Sequence, residues 1–447
     1  MTHNQRRILF WSFTLSFFVV APILVFYTAG YRYKKNEEKI IKTGTFVLST
    51  IPKNANITIN GQIASKKTPA TLSAMRAGDY TIQLSKDGYW SWEKKLTLQT
   101  EGATFASDIL LFKNNLPEQI LTGDFVKLSN QPEGNKIILI ENKNNNKIFW
   151  LLTLPLSTNI KPKKLFEQPI KSNDSNDLSW NDYEQVLIRS NDFIALVNTK
   201  SLTPTFTTLT FIPSGIINFK WLNQKLFGYD NKSIYEVDYS SKKIKSLIQV
   251  GATETITDFW LSNNTINTII HNQSGINIWK TSDIFGKIIN QKTLPSKLLY
   301  TYVDSSDSTT IFKDDQNRLS IWVKDGQWRE ITTIDGASNA ILNKNQDDIL
   351  YSTPFELWTY NPKTDERELL ARNQFAIDKI SWYTDDTHAL YVSGDNLVII
   401  ERDGRDKRNR WQLIESKNIT GYYLLNKNFI YSIATIGSST GLYEKEL

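Results

Sequence analysis

An all-β body behind a single amino-terminal transmembrane helix is the fold this sequence predicts, from three features: an apolar run near the start, period-two alternation after it, and a long-range repeat beyond that. Trp180, Trp221, Trp260 and Trp382 stand 41, 39 and 122 residues apart, and 122 is close to three further steps of the same length. In a strand-rich chain, a period of about 40 residues marks a radial array of four-stranded blades, a β-propeller. The expected order is a tail at 1–7, an anchor at 8–31, a linker at 32–42, a small β-sandwich at 43–113 and a propeller at 116–447. Eight blades are favoured over seven.

Residues Ile8 to Tyr31 carry no charge. At 1.5 Å per residue, about 20 apolar residues span a bilayer core, so the run is long enough to cross. Trp11 near one end and Tyr27, Tyr31 and Tyr33 near the other suit the two interfacial aromatic belts, and Pro22 is tolerable inside a membrane helix. The small residues Thr28, Ala29 and Gly30 leave a cleaved signal peptide as the alternative. Signal h-regions run only about 7–15 residues, which favours an uncleaved anchor in contact with lipid. Arg6 and Arg7 precede the run while Arg32, Lys34, Lys35, Lys39 and Lys42 follow it, a count that alone favours a cytoplasmic carboxyl side. Long domains translocate largely regardless of such charges, and a short tail with two arginines resembles an export n-region. The expected orientation is amino end inside, body outside.

After the linker come Thr45–Ser49, Ala55–Ile59, Tyr80–Leu84 and Lys95–Leu98, each alternating apolar and polar residues as half-buried strands do. Asn60-Gly61 supplies a hairpin turn and Asp87-Gly88 a second. Pro52 with Ala55, Asn60-Gly61, Thr68-Pro69, Gly78 before Tyr80, and Gly88-Tyr89 follow one another in an order that resembles the PEGA domain, a small bacterial β-sandwich module. The namesake tetrapeptide is degenerate here, reading Pro52-Lys53-Asn54-Ala55. The resemblance implies an extracytoplasmic module near a membrane anchor with a binding or spacing role, and it brings no catalytic residues. Trp90 and Trp92 read either as a glycan-stacking platform or as sandwich packing, with packing favoured.

The propeller prediction rests on a second register. Strands with an aromatic or aliphatic anchor followed by a turn recur at Ile148-Phe149-Trp150, Ile194-Ala195-Leu196, Ser233-Ile234-Tyr235, Asn277-Ile278-Trp279, Ser320-Ile321-Trp322, Glu356-Leu357-Trp358, Val398-Ile399-Ile400 and Gly441-Leu442-Tyr443, the sixth and seventh of them read as third strands of their units. They keep step with the tryptophan series, in which Val303, Leu342 and Tyr422 fill the slots without tryptophan. The last unit lacks a fourth strand, and Glu118–Leu121 is a strand without a unit. Pairing the two closes the ring and hides sheet edges. Seven blades result only if a weak unit, the fifth, is incomplete.

Composition limits the chemistry. With 40% apolar and 12% aromatic residues, the 447-residue chain is not mainly disordered, and the absence of cysteine excludes disulfides, thiolate metal sites and cysteine nucleophiles. The net charge of +6 is spread among loops and reads as solvated surface, so no nucleic-acid partner is expected. The histidines are His3, His271 and His388, and neither HExxH nor GxSxG occurs. Gly437–Gly441 reads as a hairpin loop. Asp304, Asp307, Asp314, Asp315, Asp347, Asp348, Asp385 and Asp386 are explained by turn formation, although a glycosidase pair stays open. Ser172–Asp177 lacks the glycine of a calcium loop. No cofactor or metal is expected.

The densest basic run, Arg402, Arg405, Lys407, Arg408 and Arg410, falls between the third and fourth strands of the seventh unit. It reads as a solvated hairpin or as a contact for an anionic envelope polymer or lipid headgroup. Two interspersed aspartates, Asp403 and Asp406, dilute its field. The expected function is a non-catalytic, membrane-anchored, extracytoplasmic binding or scaffold protein with a protein or cell-wall glycan partner. A propeller hydrolase and a structural spacer are the alternatives.

Overall fold

The computed structural model describes residues 3–28, 31–34, 39–132, 134–155, 162–171, 176–181, 184–200, 204–216, 218–222, 224–295, 298–343, 348–383 and 386–447. It divides into two compact units. The first contains residues 1–115 together with 402–411 and Leu447, and the second contains 116–401 and 412–446.

The first unit opens with helix α1 (His3–Thr28), which carries Pro22 within it. Its stretch Gln5–Thr28 is long and apolar enough to cross a membrane. Phe10, Trp11, Phe13, Leu15, Phe17 and Phe18 stand exposed around it. Such an apolar surface is unfavourable in water and suits a hydrocarbon surround.

Strands β1 (Tyr31–Lys34) and β2 (Lys39–Ile51) pair antiparallel. This corrects the expectation of a plain linker over 32–42. The Lys42 ammonium lies 2.8 Å from the Glu101 carboxylate and 5.2 Å from the centre of the Tyr31 ring, and these contacts hold the polar stretch in the sheet.

Strands β3 (Asn56–Ile59), β4 (Gln62–Lys67), β5 (Ala70–Arg76), β6 (Gly78–Ser85), β7 (Trp92–Leu98) and β8 (Ala103–Leu110) complete the module. One sheet has β1, β2 and β5 in order with β8 parallel to β2, and the other runs β4-β3-β6-β7. Asn60 and Gly61 both take positive φ, 48° and 82°, as the two-residue turn between β3 and β4 requires. Phe46, Leu48, Ile57, Ile82, Leu84, Trp92, Leu96 and Leu98 form the buried interior. Trp92 is therefore packing, as favoured.

The second unit opens with β9 (Glu118–Thr122), and among the described residues eight four-stranded antiparallel sheets lie between Glu118 and Glu446. Sheets one to seven each use four consecutive strands. Their inner strands are Phe125–Asn130, Asp177–Trp180, Asn218–Leu222, Glu254–Ser262, Tyr300–Ser305, Asn339–Leu342 and Ile377–Trp382. Each of the eight recurring segments lies on the third strand of its sheet, as expected for the sixth and seventh, and the fifth sheet has all four strands. The eighth sheet consists of Gly421–Leu425, Phe429–Ile436 and Ser439–Glu446, with β9 as its fourth strand.

Apolar clusters straddle neighbouring sheets rather than sitting within one. Ile138, Ile140 and Phe149 of sheet one pack with Trp180, Val186 and Ile188 of sheet two. At the seam, Phe125, Ile137 and Leu139 of sheet one pack with Tyr431, Ile433 and Leu442 of sheet eight. Each cluster removes two sheet faces from water together, so no single sheet has a core of its own.

Candidate functional site

The recurring tryptophans fasten sheets to one another. The Trp180 indole donates to Ser129 Oγ at 3.1 Å, Trp221 to the Ser179 carbonyl at 3.0 Å, and Trp382 to the Ile341 carbonyl at 3.3 Å, in each case on the preceding inner strand. Trp260 instead stacks on Tyr302 of the next sheet, with centroids 4.6 Å apart and planes at 10°. Val303 and Leu342 carry no indole into this role.

Charged groups on the inner strands are fastened in the same way. Lys127, Lys220 and Lys379 donate to the carbonyls of Asn176, Phe259 and Thr420. Asp258 accepts the Tyr302 amide at 2.9 Å, and Asp304 accepts the Leu342 amide at 3.0 Å. Asp304 thus lies on an inner strand rather than in the turn expected for it. Burial lowers the Lys220 ammonium below the ordinary lysine value, with Asp258 acting in the opposite sense, and burial likewise lowers Lys379.

Two cavities in the second unit are large enough for a ligand, within the range of about 300–1,000 Å³ usual for such sites. One, of about 790 Å³, is lined by inner-strand residues of sheets five to eight, among them Tyr302, Asp304, Lys379, Ser381 and Tyr422. Burial pushes the Tyr302 and Tyr422 hydroxyls up to about 12. Among the described residues Asp304 is the one carboxylate in the lining, and both of its oxygens accept backbone amides, from Ser305 and Leu342.

The second cavity, of about 490 Å³, lies between sheets four and five, along the first hairpin turn of each, the outer strand Ile288–Leu294 of sheet four and the third hairpin turn of sheet five. Trp260, Trp279 and Trp328 line it with amide and hydroxyl side chains. Buried Asn267 organises its floor: its carbonyl oxygen accepts the Trp279 indole at 3.1 Å and Thr281 Oγ1 at 2.7 Å, and its amide donates to Thr265 Oγ1 at 3.1 Å. Asn263 donates to Asp307 at 2.5 Å, joining the turns of the two sheets. Trp260 and Trp279 are repeat landmarks in the sequence, whereas Trp328 and Asn267 fall in neither repeat register. A polar residue at the buried Asn267 position of the strand Thr265–Asn272 was the available signal.

The basic run lies with the first unit. Arg405 pairs with Asp403 at 2.7 Å and donates to the Phe105 carbonyl at 2.6 Å, while Lys407 pairs with Glu93 at 3.2 Å. Arg408 donates to the Arg402 carbonyl at 3.3 Å, and Arg410 is exposed. Beneath them, fully buried Lys94 donates to the carbonyls of Asp403 and Lys407 at 2.6 and 3.0 Å. Burial opposes ionisation of Asp403, but hydrogen bonds from Arg405 outweigh it and hold this carboxyl below the usual range. Phe112 meets Trp411 edge-on at 5.1 Å.

His271 bonds Asn277 at 3.0 Å and His388 bonds Thr387 at 2.8 Å. Among the described residues, no group of three His, Asp or Glu side chains is placed to hold a metal ion. Ser172–Ser175 of the acidic loop, Asp347 and Asp385 lie outside the described residues.

Residues 43–114 match the model of the PEGA domain. No curated protein sequence matches the chain. Among solved structures, the carboxyl-terminal WD40 domain of Sif2 is similar with a TM-score of 0.53 and 12% identity, covering 74% of this chain and 99% of that one. BamB from Moraxella catarrhalis follows at 0.47 and 10%, covering 74% and 100%. An oligogalacturonate lyase in complex with manganese stands at 0.43 and 12%, covering 73% and 98%. At these identities the likeness to the WD40 domain shows the β-propeller fold and nothing of the activity.

Proposed function

We propose that this PEGA-domain protein with a β-propeller is a membrane-anchored, extracytoplasmic binding or scaffold protein of the bacterial cell envelope, with a protein or glycan partner. The helix Gln5–Thr28 is the anchor, with the amino end cytoplasmic and the β-strand body behind it outside the membrane. A PEGA module directly after such a helix supports that side of the membrane.

The observation that carries a binding role is the contrast between the two cavities. Around the inner strands, charged side chains are committed to backbone groups of neighbouring strands. The cleft of sheets four and five presents indoles, amides and hydroxyls at a rim made of turns and an outer strand. Rigid sheets that hold loops in fixed positions suit recognition.

The test is in-cell crosslinking. A photoreactive residue in place of Gln327, on the cleft rim, is expected to capture an envelope component, and one in place of exposed Lys243 on the outer strand of sheet three is not. No capture from Gln327, or equal capture from both, leaves the spacer reading.

A further inference from the structure

We propose that the cleft between sheets four and five is a glycan-binding site in which a sugar ring lies against Trp328; this rests on the binding role proposed above and specifies its ligand. Trp279 is almost fully buried, held through its Nε1 by Asn267, and Trp328 packs against it with centroids 4.9 Å apart. Trp328 is only half-buried and lines the cavity. A ring fixed from behind and open in front is a rigid platform. Its electron-rich face meets the partly positive C–H bonds on the flat side of a pyranose, and fixing it beforehand lowers the entropy lost on binding.

The rest of the lining matches the other side of a sugar. Asn290, Gln291 and Gln327 supply amides, each able to donate and to accept, as a sugar hydroxyl does. Exposed Ile289 adds an apolar wall suited to an N-acetyl methyl group. The charges are few: Lys292, Lys324 and Asp307, and Asp307 already accepts from Asn263. A site for a polyanion would concentrate arginine and lysine, and a protein-docking surface would expose a broad contiguous apolar patch. Neither describes this cleft, so the ligand class is an uncharged or N-acetylated glycan.

The experiment uses the full chain in detergent micelles, titrated with soluble oligomers of N-acetylglucosamine and of glucose and followed by intrinsic tryptophan fluorescence and calorimetry. Saturable binding of either oligomer is expected, weakened about tenfold or more by Trp328→Ala. Gln327→Ala sits on an exposed rim, leaves the floor intact and is expected to weaken binding severalfold, so the result does not depend on the tryptophan variant folding. Absence of saturable binding by both oligomers, or binding unchanged in both variants, overturns the proposal. Such a failure beside specific crosslinking to a protein from Gln327 would sink the glycan ligand and leave the binding role standing.

Discussion

Gly441→Val is expected to open the ring at its seam and lower stability by about 3 kcal/mol, the upper end of the usual cost of overpacking. Gly441 lies on the strand that pairs with β9, opposite Thr122. A Cβ built there would lie 2.0 Å from the Leu121 carbonyl oxygen and 2.5 Å from Gln119 Nε2. The first contact is with backbone that is itself paired, so the strands must separate for the side chain to fit. Separation exposes the edge of Ser439–Glu446 and uncovers Leu442, which is fully buried in the cluster shared by sheets one and eight. An unpaired edge of this kind templates aggregation. The check is thermal unfolding with light scattering, and the expected result is a lower midpoint with earlier aggregation. Gly251→Ala is the control: its nearest neighbour would be Glu254 Oε2 at 3.6 Å, an ordinary contact, and its expected effect is near zero.

Lys94→Met is expected to release residues 402–411 at a cost of about 2–4 kcal/mol, since it leaves two carbonyl oxygens without their charged donor. The methionine keeps the length of the stem and removes only the ammonium. The surface contacts of the segment, Lys407 with Glu93 and Arg405 with Asp403, are exposed ion pairs of small worth. The released segment carries four arginines and a lysine, so trypsin reports directly on its order. Cleavage between Arg402 and Arg410 is expected to be many times faster in the variant than in the parent chain. Unchanged cleavage would mean that the surface pairs and Trp411 hold the segment without Lys94.

These two residues show how much of the molecule its sequence made legible. Repeats were readable because each sheet must bury both faces against neighbours, which imposes a period on the tryptophans and on the third strands alike. The closing strand at Glu118 was readable as a surplus strand matched to a deficit at the end. Asn60-Gly61 was readable because only a few residue types accept two positive φ values in succession. By contrast, β4, β5 and β8 are largely exposed and show no clean alternation, so nothing local marked them.

The basic run reads as a surface feature because its partners in β7 and β8, Glu93, Lys94 and Phe105, lie 300 or more positions away in sequence. The sign of a partner was present on the other side: in β7, Lys94 takes the buried face of an alternation otherwise held by Trp92, Leu96 and Leu98. A lysine on a buried face needs acceptors from elsewhere. Beyond polar Asn267 on an otherwise apolar strand, nothing marked the cleft, because it is assembled from turns and an outer strand of two sheets whose own repeats say nothing about the space between them.

The proposed envelope role depends most on which side of the membrane the β-strand body occupies. Because the chain contains no cysteine, a single introduced thiol reports its own location. Asp325→Cys stands on the exposed turn between the third and fourth strands of sheet five, and Thr2→Cys in the amino-terminal tail. With a membrane-impermeant maleimide, Asp325→Cys is expected to be labelled in intact cells, and Thr2→Cys only after permeabilisation. The reverse pattern, Asp325→Cys silent until the membrane is opened, would contradict the extracytoplasmic placement and with it the envelope role.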